Sequence, residues 1–419
     1  MKIQESMARG AKLEGPDQGL FTELVYGVTR MKRLLDKRLQ AFCDRPLEET
    51  EPAVRTTLRL GLYQALFLTR VPGYALTFES VTLVDLLGAG FAKGFVNAVL
   101  RTALTAKDEG KFPAPEEETW PLGERYSYPD WLMERWSKNL TAERLVQVLE
   151  AGNHPHPLYL QVPPGSREEV LKRLEKMEVK AVPLDWPLHT LKVQGAMGTL
   201  WDPTPDEAGA WTAQDWTFQA MLDLVPAPEG ARVWDVCAAP GGKCAGLSWR
   251  VGPTGQVTAT DSSPERLLAL FENVRRLNLA NVRVLEMEAD KLPTPERFQT
   301  VWLDAPCSGT GVLSRRADLR WHLQPGDPAR HGKEQLQLLE AAAQHVYPGG
   351  TLAYSTCSLE SEENWDVVKA FLGAHPEYSP VPLTLPESVT ETETREDGLW
   401  FWPTKDRDGG FLALFRRKA

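Results

Sequence analysis

The residues most able to do chemistry in this chain are two cysteines and an aspartate. Residues 304 to 311 read DAPCSGTG and residues 355 to 358 read STCS. Each stretch closes an apolar run and puts a cysteine, Cys307 or Cys357, where a strand is expected to meet a loop. A lone cysteine is most often a small buried hydrophobe. Two thiols at two strand ends, with Asp304 beside one of them, form a set suited to covalent catalysis. A thiolate adds to an electron-poor carbon, a carboxyl group steadies the developing charge, and a base removes a proton so that the adduct collapses. These three residues could divide those tasks in more than one way.

A second motif supplies a partner for that chemistry. DVCAAPGGKCAGL, residues 235 to 247, ends a strand-like run and opens a helix. Gly241 and Gly242 let the backbone approach a ligand closely, and the helix start offers free N–H groups. Cys237 and Cys244 stand where a Walker A loop needs Gly and Ser or Thr, and G-x-G-x-x-G is also absent, so a nucleoside triphosphate or a dinucleotide is disfavoured. Asp261 closes the next strand-like run and Asp290 follows the one after it. A carboxylate at the end of the second strand can accept from both ribose hydroxyls, and Asp290 can receive an adenine amino group. A nucleoside carrying little or no phosphate, such as S-adenosylmethionine, fits this set.

A thiol beside a methyl donor points to alkylation of an electron-poor ring. Carbon 5 of cytosine is too weak a nucleophile until a thiolate adds at carbon 6 and makes it enamine-like. Such a cytosine must be single-stranded or flipped, because carbon 6 is shielded in a stack. No step of this scheme calls for a metal.

The elements that must position these residues can be read from the pattern. RVWDVCA (232 to 238), QVTATD (256 to 261), VRVLEME (282 to 288), TVWLDA (300 to 305) and TLAYST (351 to 356) are apolar runs separated by helix-length segments such as PERLLALFENVRRLN. This predicts a mostly parallel, doubly wound sheet with ligands at the carboxyl ends of its strands. Upstream, LYLQV (158 to 162), SREEVLKRLEKM (166 to 177) and HTLKVQG (189 to 195) predict a small α/β module. The first hundred residues predict an all-helical domain, with helical spacing over 19 to 42, 54 to 68 and 91 to 104. KDEGKFPAPEEETWPLGE supplies a break between the two. The expected domains are 1–110, a linker over 111–130, 131–205 and 206–419.

At 419 residues the chain exceeds one ordinary core, and 42% hydrophobic residues suffice for globular packing. No apolar run reaches the length of a membrane span, and MKIQESMARGAKLEG lacks the core of a signal peptide, so a cytoplasmic protein without membrane contact is expected. Five scattered cysteines without a C-x-x-C pair predict reduced thiols, Cys43, Cys237 and Cys244 in structural or backbone-contact roles. A net charge of −10 argues against a generally adhesive nucleic-acid binder and leaves a local basic face open.

In these motifs the chain resembles the RNA cytosine-5 methyltransferases of the Nol1/Nop2/Sun family. The likeness runs from QDW (214 to 216) through CAAPGGK, Asp261, Asp290, DAPCSGTG and STCSLESEEN to DGGFLALFRR (408 to 417). Paired Pro-Cys and Thr-Cys motifs point to RNA, since DNA cytosine methyltransferases use a single Pro-Cys nucleophile. The resemblance implies that Cys357 is the nucleophile, that Cys307 assists product release and that Asp304 contacts the cytosine. It also implies that Cys237, Ala238, Ala239, Pro240, Gly241, Gly242, Lys243, Asp261, Arg266, Asp290 and Asp304 hold S-adenosylmethionine. LVYGVTR, LRLGLYQALFL and FVNAVLR resemble the NusB-type RNA-binding domain of bacterial small-subunit ribosomal RNA methyltransferases of the Sun or Fmu type. The implied fold is an α/β Rossmann-like S-adenosylmethionine-dependent methyltransferase domain preceded by a small α/β (RRM-like) module and an all-α NusB-like domain. The chain departs from the pattern in a start shorter by about one helix, in LYLQVPP where relatives have an Arg-Val-Asn strand end, and in RRADLRW, which lacks the usual Pro before its Asp.

The implied substrate is cytosine in 16S ribosomal RNA, free or in a partly assembled subunit, acted on by a monomer. Transfer RNA, 23S ribosomal RNA and a non-enzymatic role in assembly are the alternatives. Arg30, Lys32, Arg33, Lys37 and Arg38, with Arg55 and Arg59, are candidates for one basic face, and Arg315, Arg316 and Arg320 follow the DAPCSGTG loop. Such groups bind phosphates and position a strand without reading its bases.

Overall fold

The computed structural model describes residues 13, 15–112, 115–195, 210–292, 296–395 and 397–419. The boundary expected at 205/206 lies outside the described residues. The chain divides into two compact units, one of residues 1–149 with 316–322, the other of 150–315 with 323–419. Residues 131–149, expected with the α/β module, thus cluster with the helical unit.

The first unit is helical. Helices Gly15–Arg30 and Lys32–Gln40 split the periodic stretch 19 to 42 at Met31. Helices Pro52–Phe67, Gly73–Leu86 and Lys93–Asp108 follow. The first of these three begins on Pro52, where the missing N–H costs nothing. Their apolar stripes meet in a core that includes Leu35, Leu39, Leu58, Leu62, Val84, Val96 and Leu100.

The second unit holds two sheets. The smaller is antiparallel, of β1 (Tyr159–Gln161), β2 (Lys180–Pro183), β3 (Thr190–Gln194) and β4 (Thr212–Ala213) in the order β2-β3-β1-β4. Helix Arg167–Lys176 supplies Val170 and Leu174 to a core with Leu160 and Leu191.

The larger sheet contains β5 (Arg232–Asp235), β6 (Gln256–Asp261), β7 (Val282–Glu286), β8 (Phe298–Asp304) and β9 (Val346–Thr356), parallel in the order β7-β6-β5-β8-β9. Val233, Trp234, Val257, Ala259, Trp302 and Ala353 are buried, as strands covered on both faces require. Antiparallel β13 (Gly410–Arg417) pairs with β9, and β12 (Gly398–Phe401) and β11 (Thr392–Arg395) extend that edge. β10 (Tyr378–Pro380) pairs with β13. Because β5 lies between β6 and β8, the direction of chain progression reverses there, and the crevice beyond the carboxyl ends of β5 and β8 is the place for a ligand.

Candidate active site

The loop after β5 is shaped to let a ligand reach backbone. Gly241 has φ of +109°, and a Cβ there would meet Leu270 at 2.8 Å, so only glycine is accommodated. Ala238 N donates to Thr260 O (2.8 Å), and Asn273 Nδ2 donates to Pro240 O (2.9 Å), which fixes the loop on both sides. Helix Gly242–Val251 then begins with its N–H groups at the crevice. Burial pushes the Cys237 thiol up to about 12, away from the thiolate form that a nucleophile needs. Burial raises Cys244 in the same direction.

Two carboxylates at these strand ends carry unused acceptors. Asp235, the last residue of β5, is 1% exposed, and neither carboxylate oxygen has a hydrogen-bond partner among the described residues. Burial, opposed by Lys243, pushes its carboxyl up to about 7. Asp261 Oδ1 accepts from Ser263 N (2.9 Å) and pairs with Arg266 (2.9 Å), while its Oδ2 has no partner among the described residues. Three buried acceptor oxygens without donors suit a ligand bearing an ammonium group and sugar hydroxyls, which S-adenosylmethionine has. Asp290 differs: it is exposed, bonded to its neighbour Lys291 (2.8 Å), and held below the usual carboxylate range by that bond.

Asp304, at the end of β8, is gripped from both sides. Its Oδ2 accepts from Lys243 Nζ (2.5 Å) and its Oδ1 from Ser355 Oγ (2.7 Å), which in turn accepts from the buried Trp302 Nε1 (2.9 Å). Lys243 also lies 4.2 Å from the centroid of the Phe218 ring. The lysine expected as part of the cofactor loop therefore reaches Asp304.

The two cysteine loops meet. Cys307 Sγ and Cys357 Sγ are 2.9 Å apart, and Cys357 N donates to Cys307 Sγ (3.3 Å). The hydrogen bond from its neighbour and burial together drive the Cys307 thiol well above its ordinary value, so Cys307 keeps its proton. Gly311 permits this approach: a Cβ there would stand 2.7 Å from Gly409 O and 2.8 Å from Cys357 O, and Gly311 N donates to Cys357 O (2.9 Å).

Beneath the thiols is a buried polar bracket. Glu363 accepts from Ser308 N (2.9 Å) and Ser308 Oγ (2.8 Å), and burial raises its carboxyl to about 7 against those bonds. Asn364 accepts from Thr356 Oγ1 (2.6 Å) and donates to Ser358 O (2.9 Å), holding the turn around Cys357. Gln335 Nε2 donates to Pro306 O (2.8 Å) on the other loop. These contacts give STCSLESEEN its physical sense: its last residue holds Thr356 and Ser358 on either side of Cys357, and Glu363 ties the stretch to Ser308 of the other loop.

Arg315 sits between two buried carboxylates, at 2.7 Å from Asp215 and 2.9 Å from Asp408. His156 Nδ1 lies 3.0 Å from Asp408. Ligand-type atoms of His156, Asp215 and Asp408 come within 4.8 Å of one another, but the guanidinium already spans both carboxylates, so the group is a salt-bridge network. Burial pushes Asp215 up to about 6, with Asp408 adding to the shift.

The other expected RNA contacts are largely engaged inside the first unit. Arg30 is 6% exposed. Arg33 donates to Tyr128 O (2.7 Å) and pairs with Asp130, Lys37 pairs with Glu124, Arg38 with Glu117 and Arg59 with Asp36. Arg55 donates to Glu48 O (2.9 Å), and Lys32 lies over the Trp321 ring. Arg320 is fully buried, 4.1 Å from the Tyr128 ring centroid, and Trp321 Nε1 donates to Thr29 O (2.7 Å). Arg316 is half exposed, 3.9 Å from Asp318. Sequence reasoning passed over Asp235, hidden in an apolar run, and Glu363 and Asn364, whose signal was the acidic stretch after Cys357.

A Rossmann-like sheet, a glycine turn at its reversal point and unsatisfied carboxylates beside two thiols define an S-adenosylmethionine-dependent methyltransferase. Residues 221–416 match the 16S rRNA methyltransferase RsmB/F family, 1–105 the NusB family and 128–198 the ferredoxin-like domain of RsmF/B-like methyltransferases. A probable ribosomal RNA small subunit methyltransferase B of Synechocystis is 34% identical, over 97% of this chain and 92% of its own length. Its counterpart in Bacillus subtilis is 30% identical, over 100% and 94%. The crystal structure of a methyltransferase homologue from Pyrococcus horikoshii superposes with a TM-score of 0.61 at 26% identity, over 73% of this chain and 99% of that one. The chain belongs to the RsmB/F family of ribosomal RNA small subunit methyltransferases.

Proposed function

We propose that this protein methylates carbon 5 of a cytosine in 16S ribosomal RNA through a covalent bond between Cys357 and carbon 6. The observation that carries the reading is the convergence of Cys357, Cys307 and the Lys243-bound Asp304 at adjacent strand ends. Relatives named for the small ribosomal subunit support the choice of RNA.

The Cys357 thiolate donates an electron pair to carbon 6, and the charge that spreads toward ring N3 is met by Asp304 together with the Lys243 ammonium bound to it. The 237–243 turn, Asp235 and Asp261 with Arg266 would hold S-adenosylmethionine, which would supply an electrophilic methyl group for carbon 5. The carbon 5 proton then leaves to a base, the electron pair of that C–H bond re-forms the ring double bond, and the sulfur–carbon 6 bond breaks to free Cys357. Cys307, protonated and in contact with Cys357, assists this release. Glu363 and Asn364 keep the two loops in register throughout.

The test is nucleoside mass spectrometry of 16S ribosomal RNA incubated with the protein and a labelled methyl donor. Label in 5-methylcytidine supports the reading. Label in another nucleoside, or uptake only by transfer RNA or 23S ribosomal RNA, contradicts it.

A further inference from the structure

The sequence placed RNA contacts on a face whose cations the structure ties to Glu117, Glu124, Asp36 and Asp130. A basic feature free of such acidic partners is the stronger place to look on the helical unit, and the chain's charge of −10 calls for a local one. Such a feature exists between helices Gly73–Leu86 and Lys93–Asp108, which flank an open groove of about 810 Å³.

Tyr74 and Phe78 form one wall of the groove and are 81% and 68% exposed. Seven of the twelve exposed large apolar side chains among the described residues fall between positions 67 and 95, so exposed apolar surface is concentrated on this segment of the chain, and Tyr74 and Phe78 are its members that line the groove. The opposite wall presents Asn97, Arg101 and Thr105, spaced four residues apart on one helix face, with Lys107 beside them. Arg101, Lys107 and the Asn97 amide have no partner among the described residues, and Lys93 at the head of the row pairs with Asp85. Gly94 in the lining leaves open space, with nothing within 4 Å of a built Cβ.

We propose that this groove binds a single-stranded segment of the substrate RNA, with bases stacked on Tyr74 and Phe78 and phosphates on Arg101 and Lys107. Rings on one wall and cations on the other are what a sequence-tolerant single-strand site requires. Four residues of helix rise about 6 Å, which offers one ring to each of two successive unstacked nucleotides. The inference rests on the reading that the substrate is RNA, and names where that RNA is gripped away from the reacting cytosine.

The experiment measures binding of a fluorescein-labelled, unstructured RNA oligonucleotide and of a duplex of equal length to the full chain. The variants are Tyr74→Ala with Phe78→Ala, and Arg101→Ala with Lys107→Ala, and Leu268→Ala serves as an exposed control. All replaced side chains are exposed, so melting temperatures check that each variant is folded. The proposal expects the aromatic pair to weaken single-strand binding by about tenfold or more. It expects the charge pair to lower the slope of log affinity against log salt by about 1.4. Unchanged affinity and slope in both variants overturn it. Normal binding to naked RNA combined with lost methylation of assembled particles also overturns it and assigns the groove to a protein partner. Methylation of free 16S ribosomal RNA by the wild type is scored separately, so a failure of the functional reading is distinguishable from a failure of the groove.

Discussion

Cys307 Sγ and Cys357 Sγ stand 2.9 Å apart although fifty residues separate them in sequence, because β8 and β9 are parallel neighbours whose following loops meet. Two adjacent thiols cannot both ionise easily, and the bond to Cys357 is the first cause of the raised Cys307 value. Replacing Cys357 with Ala should therefore lower the pH at which Cys307 becomes alkylated by iodoacetamide. Peptide mass spectrometry across a pH series reads this directly. An unmoved midpoint would show that the two sulfurs are not coupled.

Asp235 gives a dependence of stability on pH. Its carboxyl is raised to about 7 in the folded protein against an ordinary value near 3.8, so the folded state binds the proton more tightly. Its contribution is most favourable below about pH 4, declines as pH rises through about 7, and is constant beyond. The full penalty is on the order of 4 kcal/mol. Asp235→Asn should be more stable than the wild type at pH 8, with the difference closing toward pH 4, and should bind S-adenosylmethionine more weakly. Urea denaturation at both pH values and calorimetric titration check the two halves.

Lys243 is expected to matter for chemistry more than for folding. Its ammonium holds Asp304 Oδ2, while Ser355 still holds Oδ1 in its absence. Lys243→Met should lower kcat by about a hundredfold or more with little change in melting temperature. A loss confined to KM for the methyl donor would return Lys243 to a purely cofactor-binding role.

Arg315 should behave as a structural clamp. Its removal strands Asp215 and Asp408, both buried, and Arg315→Ala should cost about 3 kcal/mol or more in unfolding free energy. A variant of full stability but weakened RNA binding would instead make Arg315 the phosphate contact expected from sequence.

The contrast between Arg38 and Cys357 shows what could be read in advance. The thiols were legible because their motifs are local, and β5 to β9 were legible because strands covered on both faces are continuous apolar runs. The fate of Arg38 depends on Glu117, seventy-nine residues away, and that of Arg320 on Tyr128. A charge run displays cations without their partners, so its exposure is not written in it. Asp235 was hidden for the opposite reason: inside RVWDVCA it looks like one more strand residue, and only its burial without a donor gives it a role. The antiparallel strands β10 to β13 were unread because most are short.

A covalent bond between Cys357 and the RNA can be trapped directly. The Cys307→Ala variant, incubated with 16S ribosomal RNA and S-adenosylmethionine and run on a denaturing gel, should show a protein–RNA complex that survives denaturation and disappears when Cys357 is also replaced. Formation of 5-methylcytidine at the normal rate by a Cys357→Ala variant, with no trapped complex in the Cys307→Ala lane, would contradict it.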